Sequence, residues 1–296
     1  MTLDAEDWRE LTRAASFESH RLIGWIYWDP RAIENYAALG VPNGFGYYIA
    51  SRAAMLAPAG NDVVTAAFYS IHPAFISVCL DECRKHTTFD AVADARDRAV
   101  VEGLREYAPE ICDELAGSAP ALWAAADALP LGARPLFAAE RARPRPSDPL
   151  ISAWLAINCI REWRGDTHWA LHVAHDIGPI EAGVLDGAWR AYEADWLPRS
   201  RGADDAALSA AYDSLERRGW ASDGSVNAAG IAFRQELEDR LDDLASLAWR
   251  TFGAEPTRSL VSLVGSVSDR FVERIDATAG PNWMPAARHH PRSRRT

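Results

Sequence analysis

The sequence lacks several features that mark common protein classes. It has no run of about 18 apolar residues, so we expect no transmembrane helix. Its first residues carry no basic segment followed by an apolar one, so we expect no secretory signal. Only four cysteines occur in 296 residues and none forms a Cys-x-x-Cys pair, which favours reduced thiols in a cytoplasmic protein.

Short motifs of several enzyme classes are missing as well. The chain has no glycine-rich phosphate loop and no Gly-x-Ser-x-Gly turn around a nucleophilic serine. Lys85 is the single lysine, and 31 basic residues face 42 acidic ones, for a net charge of −11. An acidic protein repels the phosphates of nucleic acids unless its cations are concentrated on one face.

What is present is a succession of helical patterns, so we predict a mainly α protein. The prediction places a helical N-terminal domain at residues 1–200 and a winged-helix-like domain with a small β-hairpin wing at 201–255. A C-terminal helix follows at 256–285 and a disordered basic tail at 286–296. Residues 133–148 contain three prolines and are predicted to be mostly loop.

The most unusual segment spans residues 161–176. It holds three of the eight histidines, His168, His172 and His175, within eight positions. On a continuous helix these histidines share a face with Arg161 and Arg164. A helix with such a polar face usually borders a pocket or solvent, which indicates a candidate site.

Gly165 leaves the course of this segment open. It lies inside one long helix, at a cost of about 1 kcal/mol relative to alanine, or it ends one helix so that Asp166 caps the next. In the second case the histidines still share a face but the arginines lie elsewhere.

Two kinds of chemistry fit the histidines. His168 and His172, at i and i+4 spacing, with His175 as a third ligand, are typical of a site for a divalent metal. Alternatively, His168 acts as an acid/base with Asp166 or His72, since a nearby carboxylate shifts the pKa of an imidazole. The plainer interpretation is that these histidines cap helix ends or line a wet groove.

A ligand pocket is the other prediction for this region. Arg52, Arg161 and Arg164 form a candidate clamp for a carboxylate or phosphate. The alternative for these arginines is ion pairing with Glu162 or Asp166. The remaining predicted ligand-binding residues are Tyr48, Tyr69 and Asn158, for which ordinary core packing is the alternative.

Two short segments resemble MarR-type winged helices, namely residues 215–220, Leu-Glu-Arg-Arg-Gly-Trp, and 226–230, Val-Asn-Ala-Ala-Gly. With residues 48–56, Phe68-Tyr69 before Pro73, and 161–168, the chain resembles an actinobacterial family labelled helix-turn-helix regulators. The resemblance spans about 8–255 and implies regulator ancestry rather than a defined activity. The chain departs from that family by adding His172 and His175.

The charge of the winged-helix-like segment argues against DNA as a partner. The candidate recognition helix, 204–218, has four acidic residues and two arginines, and residues 204–252 carry ten acidic residues and five arginines. A DNA reader needs cations for phosphates and base edges. We therefore expect this segment to pack against the rest of the chain or to form a homodimer surface.

These observations lead to one main functional hypothesis and two alternatives. The main hypothesis is a cytoplasmic small-molecule-binding protein of transcriptional-regulator ancestry whose DNA binding is weak or lost, with no membrane partner. The first alternative is an enzyme that uses a His/Arg/Asp pocket by acid/base or metal-assisted chemistry. The second is a ligand-responsive DNA-binding regulator.

Overall fold

The computed structural model of the protein describes residues 3–193 and 195–288. These residues are mainly helical, as predicted, with one small two-stranded sheet. The elements in chain order are α1 (Ala5–Gly24), α2 (Pro30–Ala37), α3 (Tyr47–Arg52), α4 (Asn61–Phe68), α5 (Pro73–His86), α6 (Phe89–Tyr107), α7 (Cys112–Gly117), α8 (Ala119–Asp127), α9 (Pro135–Arg141), α10 (Pro149–Ala174), α11 (Pro179–Trp189), α12 (Trp196–Arg199), α13 (Asp205–Arg217), β1 (Ala221–Ser222), β2 (Ser225–Val226), α14 (Ala228–Phe252), α15 (Ala254–Gly265) and α16 (Ser268–Asp276).

α10 is the central helix, and it is continuous through Gly165. It begins at Pro149, a residue suited to the first helical position, and the Asp148 side chain accepts a hydrogen bond from the Leu150 N–H at 2.8 Å. Its first half is buried because α1, α7, α8, α9 and α14 pack around it. This packing outweighs the cost of about 1 kcal/mol of a mid-helix glycine. Of the two alternatives for Gly165, the structure shows the single long helix.

Large aromatic side chains fill the core around α10. Trp154 is fully buried, and its indole N–H donates to the Leu22 carbonyl of α1 at 2.9 Å. Trp25 stacks on Phe271 of α16 with 5.7 Å between ring centroids. Since Trp249 of α14 lies in the same core, helices from both ends of the chain share one hydrophobic cluster.

A second, smaller core begins at Ile177 and joins α11, α13 and the two strands. The strands are antiparallel, with Ala221 opposite Val226. Asp223 and Gly224 connect them with φ values of 51° and 68°, and two positive φ values are typical of the type I′ turn of tight hairpins. The predicted order of helix, hairpin and helix is therefore present, while its assignment to a winged-helix domain stays a prediction.

The observed helices differ from the sequence prediction in two places. α9 forms within the predicted loop 133–148 because Pro135 occupies a first helical position, where proline is tolerated. Two helices, α15 and α16, stand where one C-terminal helix is predicted. The second core starts at Ile177, inside the predicted first domain, and α14 contributes to both cores. The domain division near residue 200 stays a prediction.

The first residues of the predicted basic tail are packed. Ala287 is fully buried, and Arg288 donates to the Asp276 carboxylate at 2.6 Å. The rest of the predicted tail, 289–296, lies outside the described residues. None of the helices in the described ranges is both long and apolar enough to cross a membrane.

Candidate functional site

A cavity of about 760 Å³ lies between α3, the segment that follows α4, α12 and residues 283–285. Its volume is in the range of sites for small organic molecules. Aromatic rings form much of its wall, and they are Tyr27, Trp28, Tyr47, Tyr48, Phe68, Phe75, Trp169, Trp196 and Trp283. Because these rings come from distant parts of the chain, the cavity exists only in the folded protein.

Contacts between aromatic rings connect the walls of the cavity. Trp28 stacks on Tyr48 of α3 with 5.6 Å between centroids and contacts Trp283 at 4.9 Å. Trp283 in turn meets Trp196 of α12 edge-on at 5.6 Å. Offset and edge-on ring pairs are favourable beyond the area that they bury. The cavity is therefore bounded by rings that hold each other in place.

Tyr69, a predicted ligand-binding residue, is the centre of a strained γ-turn beside the cavity. Its φ and ψ are 52° and −68°, and the Ser70 N–H donates to the Phe68 carbonyl at 2.6 Å. A γ-turn with positive φ is rare and costly. The Tyr69 ring stacks on Trp169 at 5.0 Å, and its hydroxyl donates to the Ile177 carbonyl. These contacts hold the turn, which places Phe68 and Ser70 in the lining while Tyr69 itself stays outside.

Three arginines, Arg52, Arg199 and Arg201, line the cavity. No carboxylate of the described residues lines it. Arg52 donates to both oxygens of Glu162 at 2.9 and 2.7 Å and to the Tyr48 hydroxyl at 2.9 Å. Burial disfavours the charge on Arg52, but the Glu162 carboxylate outweighs it and raises the pKa of Arg52 well above its ordinary value. The lining is cationic within a protein that is acidic as a whole.

Arg161 and Arg164, predicted to bind the ligand, lie in ion pairs and do not line the cavity. Arg161 lies 2.5 Å from Glu162, while Arg164 lies 2.5 Å from Glu238 and 3.0 Å from Asp242 of α14. Burial raises the pKa of Glu162, but its two arginine partners outweigh this and lower that pKa to about 2. Both arginines are therefore ion-paired, Arg161 with Glu162 as in the alternative interpretation, and Arg164 with two carboxylates of α14 that are not among the predicted partners.

The three histidines of α10 do not converge on one point. His168 and His172 have 4.3 Å between ring centroids, and His172 Nδ1 donates to the His168 carbonyl at 2.7 Å. Burial lowers the pKa of His172 to about 4 and that of His168 well below its ordinary value, so both rings are neutral at pH 7. His175 is the C-cap of α10, and its ring lies 5.5 Å from that of Phe233.

Within residues 3–193 and 195–288, no group of three or more His, Cys, Asp and Glu side chains is arranged to hold a metal ion. The predicted trio of His168, His172 and His175 is thus not such a group. A divalent metal stays a prediction of the histidine spacing.

Asp166, predicted to act with His168 as an acid/base, has a different neighbour. Its carboxylate accepts the Phe137 N–H of α9 at 3.0 Å, whereas the charges around His168 belong to α11 and α14, among them Asp186 and Arg234. Burial raises the pKa of Asp166 to about 7. The structure does not bring the two groups into one reaction centre.

Three predicted site residues, Tyr48, Arg52 and His72, do line the cavity. His72 also caps α5, because its Nδ1 accepts the Ala74 N–H at 3.2 Å. Asn158 is buried within α10 and lies outside the lining. The predicted site is therefore divided between the cavity and the buried side of α10.

Sequence reasoning missed the wall formed by residues 197–202. Arg201 Nη1 donates to Ser70 Oγ at 2.8 Å, and the Arg201 carbonyl accepts the His72 N–H at 2.9 Å. Gly202 has a φ of 100°, and an added Cβ would lie 2.7 Å from the Cβ of His72, so the two segments approach this closely only with glycine. The sequence marks this wall only by Pro198 and Gly202, which are typical of any chain break.

The exposed face of α13 does not carry a cluster of cations. Its exposed charged residues are Asp205, Asp213, Glu216 and Arg217. Arg218, next in the chain, donates to the carbonyls of His175 and Asp176 at 3.0 and 2.6 Å, which satisfies the C-terminal end of α10. Among the described residues of α13 and the hairpin, little positive charge is left for phosphates.

Comparison with known proteins gives one match. The family described as "Helix-turn-helix family" matches residues 12–278, which is most of the chain. No curated protein and no solved structure matches the sequence.

Proposed function

The chain belongs to the helix-turn-helix family, and we propose that it is a cytoplasmic small-molecule-binding protein of transcriptional-regulator ancestry. The observation that carries the proposal is the ring-lined cavity of about 760 Å³. A concave site with aromatic walls and a few fixed polar groups suits a flat organic ligand, which replaces water against the rings. The strained turn at Tyr69 supports it, because strain of this kind is concentrated at ligand sites.

Titration with N-phenyl-1-naphthylamine, a neutral probe that fluoresces in apolar surroundings, tests this function. We expect one probe to bind per chain. Ser200 lines the cavity, so Ser200→Trp should narrow it and weaken binding of the probe. Ser209→Trp, on the exposed face of α13, is the matched control and should bind the probe as the wild type does. Equal binding by both variants would place the probe elsewhere and contradict the proposal.

Family membership favours a second candidate, a ligand-responsive DNA-binding regulator. The acidic exposed face of α13 opposes it, because phosphate contacts supply most of the affinity for DNA. A mobility-shift assay with sheared genomic DNA at about 50 mM salt, where phosphate contacts are strongest, separates the two functions. We expect no retardation; retardation that the naphthylamine probe alters would establish the regulator instead.

A further inference from the structure

Arg201 differs from the other arginines of the cavity lining in its partners. Arg52 and Arg199 are each paired with a carboxylate, at 2.7 Å in both cases. Arg201 has a side-chain hydrogen bond to Ser70, at 2.8 Å, and no ion-pair partner within 4.0 Å among the described residues. Most of the five N–H donors of its guanidinium therefore have no acceptor in this part of the chain.

Asp186 is the carboxylate that acts on Arg201 through its charge, but it is already ion-paired with two other arginines. Asp186 of α11 lies 2.9 Å from Arg190 and 2.8 Å from Arg234. Arg52 and Arg190 add positive charge near Arg201. The cavity wall at Arg201 thus carries positive charge that the surrounding side chains do not balance.

This unbalanced charge is unfavourable in the protein by itself. Burial lowers the pKa of Arg201, yet a guanidinium keeps its proton in proteins, so the charge stays. Arg201 is only half-buried, but a cation that loses part of its hydration without a counter-charge is still disfavoured, and a bound anion offsets that cost.

Arg201 is also held in position by its backbone. Its carbonyl accepts the His72 N–H, and Gly202 lets the chain lie against His72. Ser70, its side-chain partner, follows the strained γ-turn at Tyr69. The guanidinium is therefore held by two chain segments that are hydrogen-bonded to each other. Because it is already ordered, binding of a ligand loses less side-chain entropy.

We propose that the ligand of this cavity is an aromatic organic anion whose carboxylate or sulfonate group binds Arg201 while its rings pack against the aromatic wall. The inference rests on the proposed small-molecule function and specifies its ligand class. A guanidinium accepts one monoanionic group through two parallel hydrogen bonds. A phosphate dianion would bring a second charge, and the other arginines of the lining are already paired.

A matched pair of probes tests the charge alone. 1-Anilinonaphthalene-8-sulfonate has the rings of N-phenyl-1-naphthylamine plus one sulfonate. We expect the wild type to bind the sulfonate about 10-fold more tightly than the neutral probe, as for a charged hydrogen-bonded contact. Arg201→Met should weaken sulfonate binding by about 10-fold and leave neutral-probe binding nearly unchanged. Arg258→Met removes an exposed arginine that is paired with Glu255 and lies outside the cavity lining; it is the control, with both affinities unchanged.

The outcomes separate this inference from the function on which it rests. If the wild type binds neither probe, the cavity function fails. If the neutral probe binds but Arg201→Met leaves sulfonate affinity unchanged, the anion inference alone is overturned. Thermal unfolding gives a second measurement: an uncompensated Arg201 predicts that Arg201→Met has an equal or higher Tm, whereas a clear fall in Tm would show that Arg201 serves the fold and contradict the inference.

Discussion

Buried and half-buried arginines occupy two regions of this protein and have opposite surroundings. On α10, Arg161 and Arg164 are surrounded by carboxylates, with Glu162, Glu238 and Asp242 within 3.0 Å. At the cavity, Arg201 has Ser70 as its side-chain partner. In the first region the carboxylates of the protein balance the charge of the arginines. In the second region no carboxylate of the described residues pairs with Arg201, so its charge is available to a ligand.

This contrast indicates which arginines of a charge-rich sequence are available to a ligand. A dense run of charged residues on one helix, such as 161–168, supplies its own counter-charges or finds them on the next helix, so its density reflects pairing. An arginine in a short segment such as 197–202 has fewer carboxylates within reach, and the nearby Asp205 is already paired with Arg199. Once the fold buries it beside a cavity, its charge becomes a property of the site.

Removing the shared carboxylate of the α10 region should give the largest effect. Glu162→Gln leaves Arg52 and Arg161 buried without a counter-charge, and we expect the free energy of unfolding to fall by about 3–5 kcal/mol in urea titrations. Glu255→Gln, in an exposed pair with Arg258, is the control and should change it by less than about 1 kcal/mol. An equal loss of unfolding free energy in the two variants would mean that the ion pairs of the α10 region contribute no more to stability than an exposed pair.

Asp166 is the anionic counterpart of Arg201, because it is buried with a backbone N–H as its partner. Its pKa in the folded state, about 7, lies above the ordinary value, so the stability that its proton supplies is complete at about pH 4 and lost as pH rises through 7. Asp166→Asn keeps an acceptor for the Phe137 N–H. It should match the wild type near pH 4 and exceed it at pH 8 by on the order of 2–4 kcal/mol.

Urea titrations across this pH range measure the difference between the two proteins. Asp213→Asn, on the exposed face of α13, should show the same pH dependence as the wild type. A pH profile of Asp166→Asn that runs parallel to the wild type would mean that Asp166 is ionised and compensated, like Glu162.

Much of the fold follows from local pattern. The helical class and the hairpin at Asp223-Gly224 are predictable because apolar spacing and positive-φ residues act over a few positions. α9 is not predictable in this way, because a proline that breaks a helix interior also starts a helix, and the sequence alone does not separate these roles. The sequence does not decide the course of the chain at Gly165, because the packing of α10 against the surrounding helices, a tertiary effect, outweighs the local preference of glycine.

The candidate site was predictable only in part. Three of the predicted residues, Tyr48, Arg52 and His72, line the cavity, yet whether an arginine binds a ligand depends on where the carboxylates of other helices lie. Glu238 and Asp242 are more than 70 positions from Arg164, and Ser70 is 131 positions from Arg201. Such pairings are set by tertiary packing, and the spacing within one segment carries no information about them.

The link between the cavity and the second core gives a smaller, third test. Tyr69→Phe removes the hydroxyl that donates to the Ile177 carbonyl and leaves the ring on Trp169. We expect unfolding to become easier by about 1 kcal/mol, since the buried carbonyl loses its donor. Tyr27→Phe is the control, because the Tyr27 hydroxyl has no partner among the described residues, and it should be neutral or stabilising. A neutral Tyr69→Phe would show that the turn does not depend on this contact.

Gly165→Ala gives the smallest expected effect, and it decides why a glycine lies beside the Arg52–Glu162 pair. An added Cβ would lie 3.6 Å from a Glu162 oxygen and 3.7 Å from an Arg52 nitrogen, which are ordinary contacts. The variant should therefore gain about 0.5–1 kcal/mol from helix propensity. Gly103→Ala of α6 is the opposite case, because its Cβ would overlap the ring of Trp25, and it should lose stability. A loss in Gly165→Ala would mean that the paired region is packed as tightly as that core, and that the pair tolerates no displacement.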